Sequence, residues 1–144
     1  MKNATVNAAV LLVAGLVVLL AAMPAQAETI MRVDIPFAFL AGEQMHPAGE
    51  YLVKIDSRAR LAELRPVDGV NTDRLMLDGT LVSRKGVDSL KGFLRFQLYG
   101  STHALQVIGA PAGEAGFGVK ASKAERELAR THGGDAGSVV TVTQ

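Results

Sequence analysis

The sequence predicts a mainly β fold, a small antiparallel β-sandwich or barrel with a C-terminal α-helix. Three observations carry this. Apolar and polar residues alternate in several short runs, the pattern of half-buried strands. Gly, Pro and Asp gather between those runs at turn spacing. One capped helix signature comes late, from Ser122 to about His132. Six or seven short strands with one helix fit a layered β architecture.

The chain of 144 residues has room for one domain. Its first 27 residues read as a secretory signal peptide. Lys2 gives the positive start, Ala8 to Ala22 the apolar region, and Ala25-Gln26-Ala27 the small-x-small site. Cleavage is expected after Ala27. The apolar run is shorter than the roughly 20 residues of a membrane span, so no anchor is expected after cleavage. Residues 28–132 then form a β-rich domain with its C-terminal helix, and 133–144 a flexible tail or a terminal strand.

Charge and cysteine content narrow the function classes. The chain has 15 Lys and Arg against 14 Asp and Glu. Lys2 is the one charged residue before Glu28, so the expected mature chain is formally neutral. A nucleic-acid binder needs a basic surface that displaces counterions, and an anionic membrane surface recruits a polybasic one. Neither partner is expected. There is no cysteine. That excludes thiol catalysis, iron–sulfur clusters, Cys-based zinc sites and a lipid-modified N-terminal Cys. An exported domain without disulfides must be held by its core.

The elements follow in order. Met31, Val33, Ile35, Phe37 and Phe39 share one face of a nine-residue strand, and Pro36 marks it as edge or bulged. Ala41-Gly42-Glu43 ends it. Met45 to Gly49 reads as a turn, with Pro47 fixing φ and Gly49 free to take a positive value. Tyr51, Val53 and Ile55 mark the second strand, Ser57-Arg58 a turn, and Leu61 to Arg65 its hairpin partner. Pro66 to Gly69 turns again. Arg74 to Val82 fits either one bulged strand or a hairpin at Asp78-Gly79. Ser83 to Leu90 is polar and loop-like. Phe93 to Tyr99 and His103 to Ile108 make a second hairpin around Gly100-Ser101. Gly109 to Gly118 reads as a loop. Ser122 and Glu125 form a capping box, and Ala121, Ala124 and Leu128 give the helix a thin apolar stripe. Gly133-Gly134 stops the helix. Val139, Val140 and Val142 allow a last strand.

The stretch VDIPFAFLAGEQMHPAGEYLVKI, from Val33 to Ile55, resembles a family of small exported bacterial proteins of unknown function. Those proteins carry V-x-I-P-F-x-F-x-x-G and P-A-G-x-Y-x-V motifs after a signal peptide. The matching positions are Val33, Ile35, Pro36, Phe37, Phe39, Gly42, Pro47, Ala48, Gly49, Tyr51 and Val53. The runs Leu94-Arg95-Phe96, Tyr99-Gly100 and Ser122 to Ala129 are similar as well. Such proteins often have Leu before Pro-Ala-Gly, where this chain has His46. The resemblance implies export and a β-rich fold. It transfers no site residue and no activity.

No catalytic, cofactor-binding or metal-ligating residue is assigned from the sequence. His46, His103 and His132 lack metal-site spacing. His46 reads as a solvated turn residue, and His132 suits a helix C-terminus. Ser101 and His103 lie in a hairpin without a nucleophile elbow. Asp68, Asp73 and Asp78 suit turns. Gly113 to Gly118 lacks the Lys-Ser/Thr of a phosphate loop. The Lys, Arg and Glu run at 120–130 reads as a solvated helix face. The face carrying Phe93, Arg95, Gln97 and Tyr99 is the best place for a weak binding surface. Its aromatics would otherwise cover the sheet or lie under the helix.

The expectation is therefore a single-domain, non-enzymatic binding or interaction module of the bacterial envelope, secreted or periplasmic, with no cofactor. Its partner is an envelope protein or a ligand of unknown identity, and its oligomeric state is open. A structural or assembly role by strand addition, through the Pro36 edge and the Val139–Thr143 tail, is the alternative. A small hydrolase with a dispersed site ranks last.

Overall fold

The computed structural model describes residues 28–132 and 136–144. The expected signal peptide and the Gly133-Gly134 helix stop lie outside the described residues. Among the described residues ten strands and one helix follow in the order β1 (Thr29–Ile35), β2 (Phe39–Ala41), β3 (Gln44–His46), β4 (Gly49–Asp56), β5 (Leu61–Pro66), β6 (Asp73–Ser83), β7 (Phe93–Tyr99), β8 (Thr102–Gly109), β9 (Ala115–Val119), α1 (Lys123–His132) and β10 (Ala136–Thr143). The fold is mainly β and sandwich-like, and the sheet does not close into a barrel. Among the described residues no helix is long and apolar enough to cross a membrane.

One layer holds β1, β4, β5 and the first half of β6, all antiparallel. The other holds the second half of β6 with β9, β8, β7, β10, β2 and β3. One pair departs from the expected antiparallel pattern: β2 runs parallel to β8, with Phe39 opposite His103. The sheet is therefore mixed.

Two segments carry the chain between layers. The first is Pro36-Phe37-Ala38. The expected nine-residue strand is split there, because Pro36 has no N–H for a ladder. β1 ends at Ile35, and Phe39 begins β2 in the other layer. The alternation survives the break: Met31, Val33, Ile35 and Phe39 are all buried, and Phe37 packs half-buried against them. The second segment is β6. It is one long strand and not a hairpin. Its register shifts between Leu77 and Leu81, and its partner changes there from β5 to β9. Such a bulge bends a strand and increases its twist.

The core lies between the layers. Tyr51, Val53, Ile55, Leu64 and Leu75 meet Leu94, Phe96, Leu105 and Ile108. Phe39 stands edge-on to both Tyr51 and Phe96, at centroid distances of 5.3 Å. The Tyr51 hydroxyl donates to the Pro47 carbonyl at 2.7 Å and fixes the Pro-Ala-Gly turn against the core. Asp56 Oδ1 accepts from the backbone of Arg58 and Ala59, which shapes the β4–β5 turn.

The stretch 109–118 is not the loop that its glycines suggest. Ala115–Val119 is a strand paired with both β6 and β8. Its glycines are there for space. A Cβ on Gly116 would lie 2.6 Å from Val107 Cγ1 and 2.9 Å from Phe93 Cζ, and a Cβ on Gly109 would collide with the Phe93 ring. Phe93 lies over Gly109 of β8 and Gly116 of β9. From the other side, the guanidinium groups of Arg84 and Arg95 sit 5.2 and 4.9 Å from its ring centre. Those arginines also donate to backbone carbonyls, Arg84 to Ala110 at 3.1 Å, and Arg95 to Ser83 at 2.7 Å and to Lys85 at 2.9 Å. They hold the 84–91 loop over the sheet.

Candidate functional site

A cleft of about 430 Å3 opens where the layers part company along β6. Three pieces of chain build it. The tight β2–β3 turn contributes Gly42, at φ +61°, and Glu43. The first half of β6 contributes Arg74 and Met76. The segment entering α1 contributes Lys120, Lys123 and Arg126. The Lys120 amide donates to the Met76 carbonyl at 2.8 Å, which keeps that segment beside β6.

The N-terminus of α1 faces this cleft, but its first amides are already taken. The Ser122 hydroxyl accepts from the Glu125 amide at 3.0 Å, as the capping box predicts. Glu43 supplies a second cap from 80 residues away. Its two carboxylate oxygens accept from the amides of Lys123, at 2.7 Å, and Ala124, at 3.1 Å. A carboxylate there satisfies orphan donors and complements the helix dipole.

Apart from Glu43, whose carboxylate is held by the helix amides, the charged side chains around the rim are cationic. Arg74 is paired with Glu63 at 3.2 Å. Lys120, Lys123 and Arg126 are exposed, and among the described residues no carboxylate lies within ion-pair distance of them. Met76, 59% exposed, gives the cleft an apolar wall. The arrangement can attract and hold an anionic group that also carries some apolar surface. In the sequence, Lys120, Lys123 and Arg126 fall in a run that reads as a solvated helix face. Nothing local brings Arg74, Met76 and Glu43 to them, because those contacts join distant parts of the chain.

Beneath α1 lies a second polar group. β8 carries an extra residue at Gln106, since Arg95 faces Val107 while Phe96 faces Leu105. The bulge aims Gln106 at the helix. Its Nε2 donates to Tyr99 Oη and to Glu125 Oε1, both at 3.1 Å. Burial pushes the Glu125 carboxyl above its usual range, while hydrogen bonds from Gln106 and the Ser122 backbone pull it down. Burial also raises Tyr99. Beside this group, Ala124, Leu128 and Ala129 pack on Leu40, Tyr99 and Ala104.

The histidines occupy three separate environments. His46 is not a solvated turn residue. It ends β3, is 7% exposed and stacks on Phe39 at 5.2 Å. Its Nε2 sits 3.2 Å from Asp73 Oδ2 without hydrogen-bond alignment. His103 stacks on Phe37 at 3.9 Å. His132 ends α1 and lies on Gly100, where a Cβ would come within 2.9 Å of the ring. Among the described residues no three His, Asp or Glu side chains form a group that could hold a metal ion.

The other sequence candidates also stand apart. Ser101 is exposed in the β7–β8 turn, whereas His103 packs against Phe37. Asp68 sits in the 66–69 turn, Asp73 beside His46, and Asp78 at the β6 bulge, where it accepts from the Thr80 amide at 2.7 Å. The face of Phe93, Arg95, Gln97 and Tyr99 is covered at both ends. Phe93 lies under the two arginines, and Tyr99 lies under the helix. The aromatics there are structural. No protein-family model, no curated protein and no solved structure matches the chain.

Proposed function

We propose that the protein is an exported, non-enzymatic binding module of the bacterial envelope, and that its cleft beside α1 receives an anionic group of the ligand. The observation that carries this is the rim of Lys120, Lys123 and Arg126 around one cleft, with no carboxylate partner among the described residues. Like charges brought together repel, and an anion seated among them relieves that repulsion. Export rests on the signal pattern of residues 1–27, and the envelope setting on the resemblance over Val33 to Ile55. Formal neutrality of the chain from Glu28 onward favours a local anion site over a long phosphate track.

The test is an NMR titration with two probes, inorganic pyrophosphate and a short oligogalacturonate. One presents phosphate and the other carboxylate. The reading expects amide shifts at Met76 and at Lys120 to Arg126, weaker with added salt and abolished by Lys120→Glu with Arg126→Glu. Shifts elsewhere only, no shifts at all, or unchanged shifts in the double variant would each overturn it.

A further inference from the structure

Among the described residues β1, β3 and β10 each have a strand partner on one side only. They are unequally protected. β3 has three residues, and β10 is broken by a register shift between Ala136 and Val139. Short and bulged edges are poor templates for pairing. β1 is different. It has seven residues in unbroken register with β4, from Thr29 opposite Ile55 to Ile35 opposite Gly49. No proline or bulge interrupts it, since Pro36 falls just past its end.

β10 of the other layer passes close to β1, and what guards the rest of this edge is charge. Arg32 and Asp34 stand exposed on its outer face, while Met31, Val33 and Ile35 point into the core. The two charges have opposite sign, so they repel some registers of self-pairing and favour one. An antiparallel pair of identical strands keeps core residues on the core side only when residues of the same face meet. Centring the pair on Arg32 sets Arg32 against itself, and centring it on Asp34 sets Asp34 against itself. Centring it on Val33 sets each Arg32 against the Asp34 of the other copy, and each Met31 against the Ile35 of the other copy.

The local charges also leave Asp34 in need of a cation. It lies directly across from Glu50 in the β1–β4 ladder. Arg32, the nearby cation, already binds Glu50, donating from Nη2 to Oε2 at 2.6 Å. Asp34 has no ion-pair partner among the described residues. A second copy paired in the Val33-centred register supplies that cation and sets Arg32 between Glu50 of its own chain and Asp34 of the other.

We infer that β1 is a homodimer edge: two copies join antiparallel through Thr29–Ile35 about a two-fold axis at Val33, extending one layer of each sandwich into a continuous sheet. The contact is isologous and closed, so it makes dimers and not fibres. It is independent of the anion cleft, which lies elsewhere on the fold.

Sedimentation equilibrium on protein produced from the whole chain reads it directly. The wild type is expected to be a concentration-dependent dimer. Asp34→Arg sets arginine against Arg32 in both symmetric pairs and is expected to weaken the dimer about tenfold or more. It leaves the fold intact, because it places a cation opposite Glu50. The double exchange of Arg32→Asp with Asp34→Arg restores opposite signs and is expected to restore the dimer. Val139→Lys, on the β10 edge, leaves it unchanged. A wild type that stays monomeric at its highest soluble concentration overturns the inference. So does a dimer untouched by Asp34→Arg, one that the double exchange fails to restore, or one that Val139→Lys disrupts. Circular dichroism on each variant separates loss of pairing from loss of fold.

Discussion

The turn at Gly42 and the stretch from Gly109 to Gly118 are both marked by glycine, and their glycines do different work. Gly42 lies at φ +61° in a two-residue turn, with Ala41 paired to Gln44. It is there for its backbone angle, which residues with a Cβ adopt at a cost. Gly109 and Gly116 face each other at one end of the β8–β9 ladder. They are there because the Phe93 ring occupies the space a side chain would need. A glycine thus marks either a dihedral or a missing volume. Local sequence context reveals the first far better than the second, because the volume belongs to a residue elsewhere in the chain.

The largest expected effect tests that distinction. Gly109→Ala drives a methyl group into Phe93 and should cost about 3 kcal/mol, the upper end of overpacking penalties. Gly42→Ala should cost only about 1–2 kcal/mol, the strain of a left-handed non-glycine residue. Urea unfolding of both variants checks the order. Repeating Gly109→Ala in a Phe93→Leu background sharpens it. Most of the added cost should vanish there if the ring is its cause, whereas the cost of Gly42→Ala should not change. An equal penalty at Gly109 in both backgrounds would show that its backbone, not Phe93, demands glycine.

How much was legible follows the same line. The strands from Tyr51 to Arg65 and from Phe93 to Ile108 were readable because their signals are local: alternating burial and turn residues in place. The Ser122–Glu125 capping box was readable for that reason too. The layer change at Pro36 was half readable; proline announced a break, and nothing local said that the chain leaves one layer for the other. β9 is not legible in the sequence because Gly116 and Gly118 carry no strand propensity, and its stability comes from Leu81, Val107 and Phe93. His46 looks exposed in the sequence because its neighbours are turn formers. Phe39, Tyr51 and Asp73, which enclose it, come from three other elements. The cationic cleft was the least readable feature. Its rim joins the β2–β3 turn, β6 and α1, and only the folded sheet brings them together.

Glu43 is where the two compared regions meet, since a turn set by Gly42 caps a helix that follows the glycine-rich strand β9. Glu43→Ala removes both acceptors from the Lys123 and Ala124 amides. A lost helix cap costs about 0.5–2 kcal/mol, and the retained Ser122 cap should keep this loss near the middle of that range. Faster amide exchange at Lys123 and Ala124, with β4 and β5 unaffected, is the expected signature. Global loosening of the sheet would mean that the helix supports the fold more broadly than its few contacts suggest.

The smallest effect lies under the same helix and is read through pH. Burial is the largest influence on Glu125 and raises its pKa above the ordinary 4.5, so the folded protein holds that proton more firmly than the unfolded chain does. The resulting stabilisation is fully present below the ordinary carboxyl range and is lost as pH rises through the raised value. Glu125→Gln removes this dependence and keeps an oxygen to accept from Gln106. Thermal melts of both proteins from about pH 4 to 8 isolate the effect, because the other carboxylates contribute equally to each. The variant should gain on the wild type as pH rises and then hold a constant lead. A wild type that gains instead would mean that the hydrogen bonds from Gln106 and the Ser122 backbone outweigh burial. The bulge at Gln106 would then be a device for holding a charged carboxylate under the helix, where the present geometry makes it a partner that only partly offsets the cost of burying one.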